Sequence, residues 1–373
     1  MKIGFDAKRA FNNRRGLGNY SRDTIRILAS LAPENQYYLF TPKTDRKINF
    51  TCPENTVLKL PKYEVGIFSQ SVWRTFNIAR EAEKLGLDIY HGLSHELPVG
   101  IEKTKVRSVV TMHDLLFLKQ PELFNAFDRM MYQKKYLRSC QVADRIIAVS
   151  EQTKRDLLEL TDTPKEKVEV VYQGCRPEFM MLVSETEKKK LREKYGLPES
   201  YLLNVGALEP RKNQLLILKA LMAGHIDVPL VIAGQSTNYR KELQSFINQN
   251  ELHRQVILLP DFPLADLPAL YQCATIFVFP STYEGFGIPV VEALTSGLPV
   301  IATSGSCLEE SGGPDSIYVS PDNAEELAEH IKEVLSNEQK RNSMMVKGLN
   351  YALRFSDQAI ADNLIRIYKN LIT

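Results

Sequence analysis

The chain has 373 residues, 44% hydrophobic and 25% charged, with a formal net charge of +2, a composition ordinary for a soluble globular protein. That balance gives no global argument for nucleic acid or an anionic membrane as partner. The five cysteines, Cys52, Cys140, Cys175, Cys273 and Cys307, are odd in number and show no C-x-x-C spacing. A disulfide framework or zinc site is therefore not expected, and a cytoplasmic location is.

At about 100–200 residues per domain, two domains are expected. The opening "MKIGFDAKRAF" has no long apolar core, so no signal peptide is expected there. No apolar stretch approaches the roughly 20 residues of a spanning helix.

The first predicted strand is "KIGFDA" (2–7). It runs into "FNNRRGLGNYSRDTIRILASLA", a basic turn bearing Gly16 and Gly18 and then a helix with Thr24, Leu28 and Leu31 on one face. Apolar strands follow at 37–40, 88–92, 106–114 and 145–150, with helical patterns between them in "SVWRTFNIAREAEKLG" and "DRMMYQKKYLRSCQVA". Strands alternating with helices imply a parallel sheet covered on both faces.

The rhythm pauses at "VEVVYQGCRPEFM" and the polar "VSETEKKKLREKYGLPES", then restarts at "YLLNVGA" (201–207). The boundary is placed between 182 and 183, within a 177–190 transition. Further strands are expected at 229–234, 255–260, 275–280, 298–303 and 316–320. A polar helix over 324–337 and an amphipathic one from 356 to 373, with Ile360, Leu364, Ile367 and Leu371 on one stripe, complete the pattern. The expected fold is α/β, two doubly wound Rossmann-like domains facing across a cleft. Ligands of such sheets bind beyond the carboxyl ends of the strands, so chemistry is sought there.

Five clusters fall at such ends. In "FVFPSTYEGFGIPVVEAL", Glu284 sits in a turn with Gly285, Phe286 and Gly287, and Glu292 is expected in the first turn of the next helix. Pro289 suits a helix start, and helix N-termini favour anions. A carboxylate can accept from vicinal hydroxyls such as those of a ribose, and Glu284 is read as free to touch a second polyol. In "YLLNVGALEPRKNQLLILKAL", Gly206 follows a strand while Arg211 and Lys212 precede a helix. Cations there oppose the helix dipole and make sense beside an anion. Gly16 and Gly18 form a weak G-x-G, equally a plain turn. His113 and Asp114 end a strand in "TMHDLLFL". His91, Ser94, His95 and Glu96 follow another in "YHGLSHELP". No third ligand accompanies His91 and His95, so no metal is expected.

In this order these elements resemble the retaining nucleotide-sugar glycosyltransferases of family 4, which have the GT-B fold. "YEGFGIPVVEA" is similar to the family's glutamate–seven residues–glutamate signature, "VGALEPRKN" to its donor-phosphate motif, and "TMHDL" and "AVSEQTKRDL" to its amino-terminal domain. The resemblance implies domains at 1–182 and 183–355, with the helix 356–373 packing back on the first. It implies that Glu292 holds the donor ribose, and that Glu284 with the Gly285–Phe286–Gly287 backbone holds the transferred sugar. Arg211 and Lys212, below Gly206, would neutralise the diphosphate. His113 would contact the sugar, and the Gly16–Gly18 loop would close over the phosphates. Acceptor contacts are expected from His91, Ser94, His95 and Glu96.

GDP-mannose is the favoured donor and a UDP-sugar the alternative. The acceptor is a glycan or lipid-linked molecule, with no cofactor, no metal and no nucleic acid. "QKKYLRS" and "KRAFNNRR" could rest on the inner face of a membrane as a peripheral contact. Two departures stand out: "PDFPLAD" where the family commonly has glycine beside the base, and "SGSCLEESGG" without the usual Pro-Glu step. A non-catalytic nucleotide-sugar binding module, an epimerase or a phosphorylase is the competing class.

Overall fold

In a parallel sheet covered on both faces, successive side chains of a strand must enter two different cores. The strand Gln36–Phe40 does this: Tyr37 and Leu39 join one buried cluster, Tyr38 and Phe40 another. A computed structural model describes residues 1–48, 50–61 and 72–373. By internal contacts these divide into one unit of Met1–Gln173 with Asp357–Thr373, and a second of Gly174–Ser356.

The strands of the first unit are β1 (Lys2–Asp6), β2 (Gln36–Phe40), β3 (Thr56–Lys59), β4 (Ile89–Gly92), β5 (Arg107–Met112), β6 (Arg145–Ala148) and β7 (Val168–Val170). They form a parallel sheet in the order β3-β2-β1-β4-β5-β6-β7. β3 was missed in the sequence because "TVLK" is short and only partly buried, at the sheet edge. The pattern "SVWRTFNIAREAEKLG" begins at Ser71, outside the described residues; from Trp73 it is helical to Lys84.

The helix Gly16–Leu31 corrects two expectations. Gly16 and Gly18 are its first-turn residues, not a loop, and Leu31 is 41% exposed while Thr24 and Leu28 are buried. Gly18 is required there: a Cβ at that position would lie 1.9 Å from the Asn13 carbonyl oxygen. The helix Asp357–Ile372 packs on this unit, with Ile360, Leu364, Ile367 and Tyr368 entering the same core as Ile3, Phe5 and Ile89.

The second unit holds β8 (Leu202–Val205), β9 (Leu230–Gly234), β10 (Val256–Pro260), β11 (Ile276–Phe279), β12 (Val300–Thr303) and β13 (Ile317–Val319), in the parallel order β10-β9-β8-β11-β12-β13. Residues 174–182, read from the sequence with the first domain, group with this unit. Phe179 stacks edge-on against Tyr271 at 5.5 Å, and the Cys175 thiol donates to Thr295 Oγ1 at 3.3 Å.

In each sheet the chain winds outward from its first strand and then returns to that strand's other side. The strand order therefore reverses between β1 and β4 in one and between β8 and β11 in the other. The carboxyl ends of those strand pairs are the switch points where open α/β sheets take ligands.

Candidate active site

β11 is wholly buried and ends at Phe279. The turn after it brings Ser281 and Glu284 against the turn after β8. There Arg211 and Lys212 lie in the single 3-10 turn Pro210–Lys212, just before the helix Gln214–Ala223. The Arg211 carbonyl joins the turns, accepting from Thr282 N–H at 2.8 Å, Ser281 Oγ at 3.1 Å and Thr282 Oγ1 at 3.2 Å, and Arg211 Nη1 donates to the Tyr283 carbonyl at 3.1 Å.

Glu284 is the hub. Its carboxylate pairs with Lys212 Nζ, accepts from Ser281 Oγ at 2.6 Å and lies 3.3 Å from Arg211 Nη1. Arg211 also meets Glu209 at 3.0 Å, and Lys212 Nζ sits 5.0 Å from the centre of the Phe279 ring. Lys212 is 7% exposed. Glu284 is thus not free, as expected from the sequence, but held in a buried ion cluster. Burial would raise the Glu284 pKa, yet Lys212 and Arg211 outweigh it and hold the carboxyl below its usual range. Burial, with Arg211 adding, pulls the Lys212 ammonium below its ordinary value against the attraction of Glu284. The chain supplies its own anion to the cation pair.

The helix after this turn is Ile288–Thr295, with Pro289 in its first turn and Gly287 preceding it at φ +98°. A side chain on Gly287 would be strained by that φ and would meet Leu308 Cδ2 at 2.7 Å. Glu292 is the fifth helical residue, beyond the first turn where it was expected. It accepts a hydrogen bond from the buried Tyr271 hydroxyl at 3.0 Å. Phe286 is buried against Phe355, ring centres 5.2 Å apart, so its side chain is a packing anchor. Gly206 follows β8, its N–H bonded to Ala233.

The first unit gathers its histidines at the β4 and β5 ends. His113 Nε2 faces the Leu93 carbonyl at 3.0 Å, so it must carry the proton; Nδ1 then accepts from Gln173 Nε2 at 3.1 Å. The His113 backbone N–H donates to His95 Nε2 at 3.0 Å. Tyr20 packs edge-on to His113, and Tyr136 stacks on His95. Burial lowers the pKa of His91, His95 and His113 to about 3 each, so all three are neutral at physiological pH.

His91 differs from the acceptor-side reading. It is fully buried, and its two ring nitrogens are spent on Tyr368 at 2.6 Å and Thr111 at 2.8 Å. Glu96 is ion-paired to Arg74 at 2.7 Å, and Arg74 also grips Asp6 at 2.5 Å. Ser94 is buried, its hydroxyl without a partner among the described residues.

Residues that sequence reasoning missed are those whose role exists only through the fold: Ser281 and Phe279 around the ion cluster, Tyr271 on Glu292, Gln173 on His113, and Arg74. Only Ser281, three residues before Glu284, carried any local signal. A hollow of about 470 Å³ in the second unit is lined in part by Ala274, Thr275, Leu298 and Pro299. These precede β11 and β12, so it lies at the amino edge of the sheet, away from the switch point.

Two all-parallel Rossmann-like sheets carry an acid–base ion cluster on the carboxyl edge of one and buried histidines on that of the other, and together they have the GT-B fold. The Anabaena protein Alr3699/HepE, crystallised with UDP and glucose, has this fold with a TM-score of 0.77 at 19% identity, over 99% of this chain and 100% of that one. Residues 15–179 match the model described as Glycosyltransferase Family 4, and 187–350 that described as Glycosyl transferases group 1. The O-antigen chain mannosyltransferase B of Escherichia coli is 30% identical over 76% of this chain and 74% of its own length. The serotype-specific mannosyltransferase WbdA of Escherichia coli is 26% identical over 71% of this chain, which spans 34% of WbdA. The chain belongs to glycosyltransferase family 4 and is a hexosyltransferase. Among the described residues no helix is long and apolar enough to cross a membrane.

Proposed function

We propose that the enzyme transfers mannose from GDP-mannose, with retention, to a glycan or lipid-linked acceptor. The observation that carries the reading is the buried Glu284–Lys212–Arg211 cluster at the β8/β11 switch point. A nucleoside diphosphate arriving there offers Lys212 and Arg211 a second anion. As they turn to the phosphates, Glu284 is released in part to accept from sugar hydroxyls. Glu292, held by Tyr271, takes the ribose hydroxyls.

The bond between the anomeric carbon and the diphosphate oxygen breaks while the acceptor oxygen bonds to the same face. The acceptor proton passes to the leaving phosphate oxygen. Negative charge grows on the diphosphate during this step, and the cation pair stabilises it. In the first unit, His113 contacts the sugar as a neutral ring whose nitrogens are already bonded to Leu93 and Gln173, and Ser94, His95 and Glu96 belong to the acceptor side. The enzyme works in the cytoplasm, with the exposed Arg14 and Arg15 of "KRAFNNRR" and the "QKKYLRS" segment at the inner membrane face.

Mannosyl relatives support mannose as the sugar. The UDP and glucose crystallised with Alr3699/HepE support a UDP-sugar as the second reading. Donor hydrolysis and thermal shift with GDP-mannose, UDP-glucose, UDP-N-acetylglucosamine and a dTDP-sugar decide between them. A site that hydrogen-bonds a hydroxyl rejects a donor that misplaces it, so one donor should stand out. Stabilisation by a uridine donor and not by GDP-mannose ends the mannosyl reading.

A further inference from the structure

The carboxyl edge of the first sheet holds an unequal set of charges. Arg74 is spent on Asp6 and Glu96, and Lys135 lies 3.7 Å from Glu96. Two more cations, Lys8 and Arg9, come from the short helix that follows β1. Both side chains are half-buried, and neither makes an ion pair or hydrogen bond among the described residues. Four cations therefore face three carboxylates, Asp6 and Glu96, which also attract Lys8, and Asp114, whose charge reaches His113 and Tyr136. Burial and the Arg74 charge lower the Lys8 pKa, so the crowding is felt there. The Arg9 charge reaches His95, His113 and Tyr136, which puts it on the same edge as the histidines. Ser94, 4% exposed on the loop after β4, adds a hydroxyl that no protein group satisfies.

Half-desolvated like charges without partners are unfavourable unless an anion joins them. Their place is the β1/β4 switch point, where a ligand would lie. We propose that Lys8 and Arg9 form a phosphate subsite of the first unit, taking the phosphate or diphosphate of a phosphorylated acceptor. This rests on reading the first unit as the acceptor side. It differs from resting "KRAFNNRR" on a membrane, because half-buried cations at a sheet's switch point bind one anion rather than a plane of headgroups. Arg grips it as a fork and Lys as a point charge.

The test is calorimetric titration of inorganic pyrophosphate into wild type and Lys8→Gln/Arg9→Gln, with the nucleotide site filled by a saturating nucleoside diphosphate. The double variant should bind pyrophosphate at least about 10-fold more weakly, the scale of losing hydrogen bonds to a charged group. Its nucleotide affinity and melting temperature should match wild type. Arg9→Lys, which keeps the charge, should retain more affinity than Arg9→Gln. Equal pyrophosphate binding in wild type and double variant overturns the subsite. So does loss of binding to phosphatidylglycerol vesicles with pyrophosphate binding intact, because the pair is then a membrane contact. If no nucleoside diphosphate binds either protein, the donor reading fails separately. The wild-type against double-variant comparison, run without nucleotide, still decides the subsite.

Discussion

The carboxyl edges of the two sheets solve opposite electrostatic problems. At β8/β11 the working groups are charged and buried, and they stay ionised because Glu284 sits among Lys212, Arg211 and Ser281. At β4/β5 the working groups are imidazoles, kept neutral by burial and locked by a backbone carbonyl and Gln173. The buried cluster of the second unit thus holds its charge by pairing, while the histidines of the first unit are kept neutral beside separate charged groups.

Acid should separate the units most strongly. A histidine whose folded pKa lies near 3, below an unfolded value of about 6.5, leaves the unfolded state binding more protons between those values. Stability is then full above pH 6.5 and lost as pH falls toward 3, by about 2 kcal/mol per histidine at pH 5. Trp73, the single tryptophan, is buried in the first unit and reports on it alone. Denaturant titrations followed by its fluorescence should show that unit weakening by several kcal/mol from pH 7.5 to 5. A flat profile would mean that the histidines are not held neutral.

Breaking the ion cluster comes next. Glu284→Ala leaves Lys212 buried without its carboxylate, and loss of one member of such a pair costs about 3–5 kcal/mol. Equilibrium unfolding should show the loss in the second unit with the Trp73 transition unmoved. Because Glu284 has a depressed pKa, its contribution is present above its unfolded value and fades as pH falls through the folded one.

Turnover sharpens the same contrast. Arg211→Ala, at a more exposed member of the cluster, should lower kcat by about 100-fold, the effect of removing one partner of a developing charge. Single-turnover rates near wild type would show that the pair serves stability alone. The smallest effect belongs to Tyr271→Phe, which deletes one hydrogen bond to Glu292 and should weaken nucleotide binding by about 1 kcal/mol, five-fold or so. Unchanged affinity would detach Glu292 from the donor.

The sheets were legible because their strands are continuous apolar runs. The motif turns were legible because glycine and proline mark where β8 and β11 end. Legibility stopped where a side chain's role depends on what the fold places opposite it. Glu284 looked free in sequence because its partners, Arg211 and Lys212, lie more than 70 positions earlier in the chain. His91 and His113 look alike after two neighbouring strands, yet the fold spends the ring nitrogens of one on Tyr368 and Thr111 and those of the other on Leu93 and Gln173. Gly16 and Gly18 suggested a loop, and only the close approach of Asn13 to Gly18 shows the helix packed there.

The hydrogen-bonded run Tyr368–His91–Thr111–Tyr20 ends at a ring packed on His113 and begins on the helix Asp357–Ile372. During synthesis that helix emerges only after the whole of the second unit, which is continuous in the chain, has left the ribosome. The first unit therefore starts folding first and finishes second, its apolar face at Ile25 and Leu28 uncovered until Ile360 and Leu364 arrive. A released chain ending before Asp357 would carry all strands of the second sheet and lack the helix that covers Ile25 and Leu28 in the first. The core of the first unit is thus completed by a segment that follows the whole of the second in the chain.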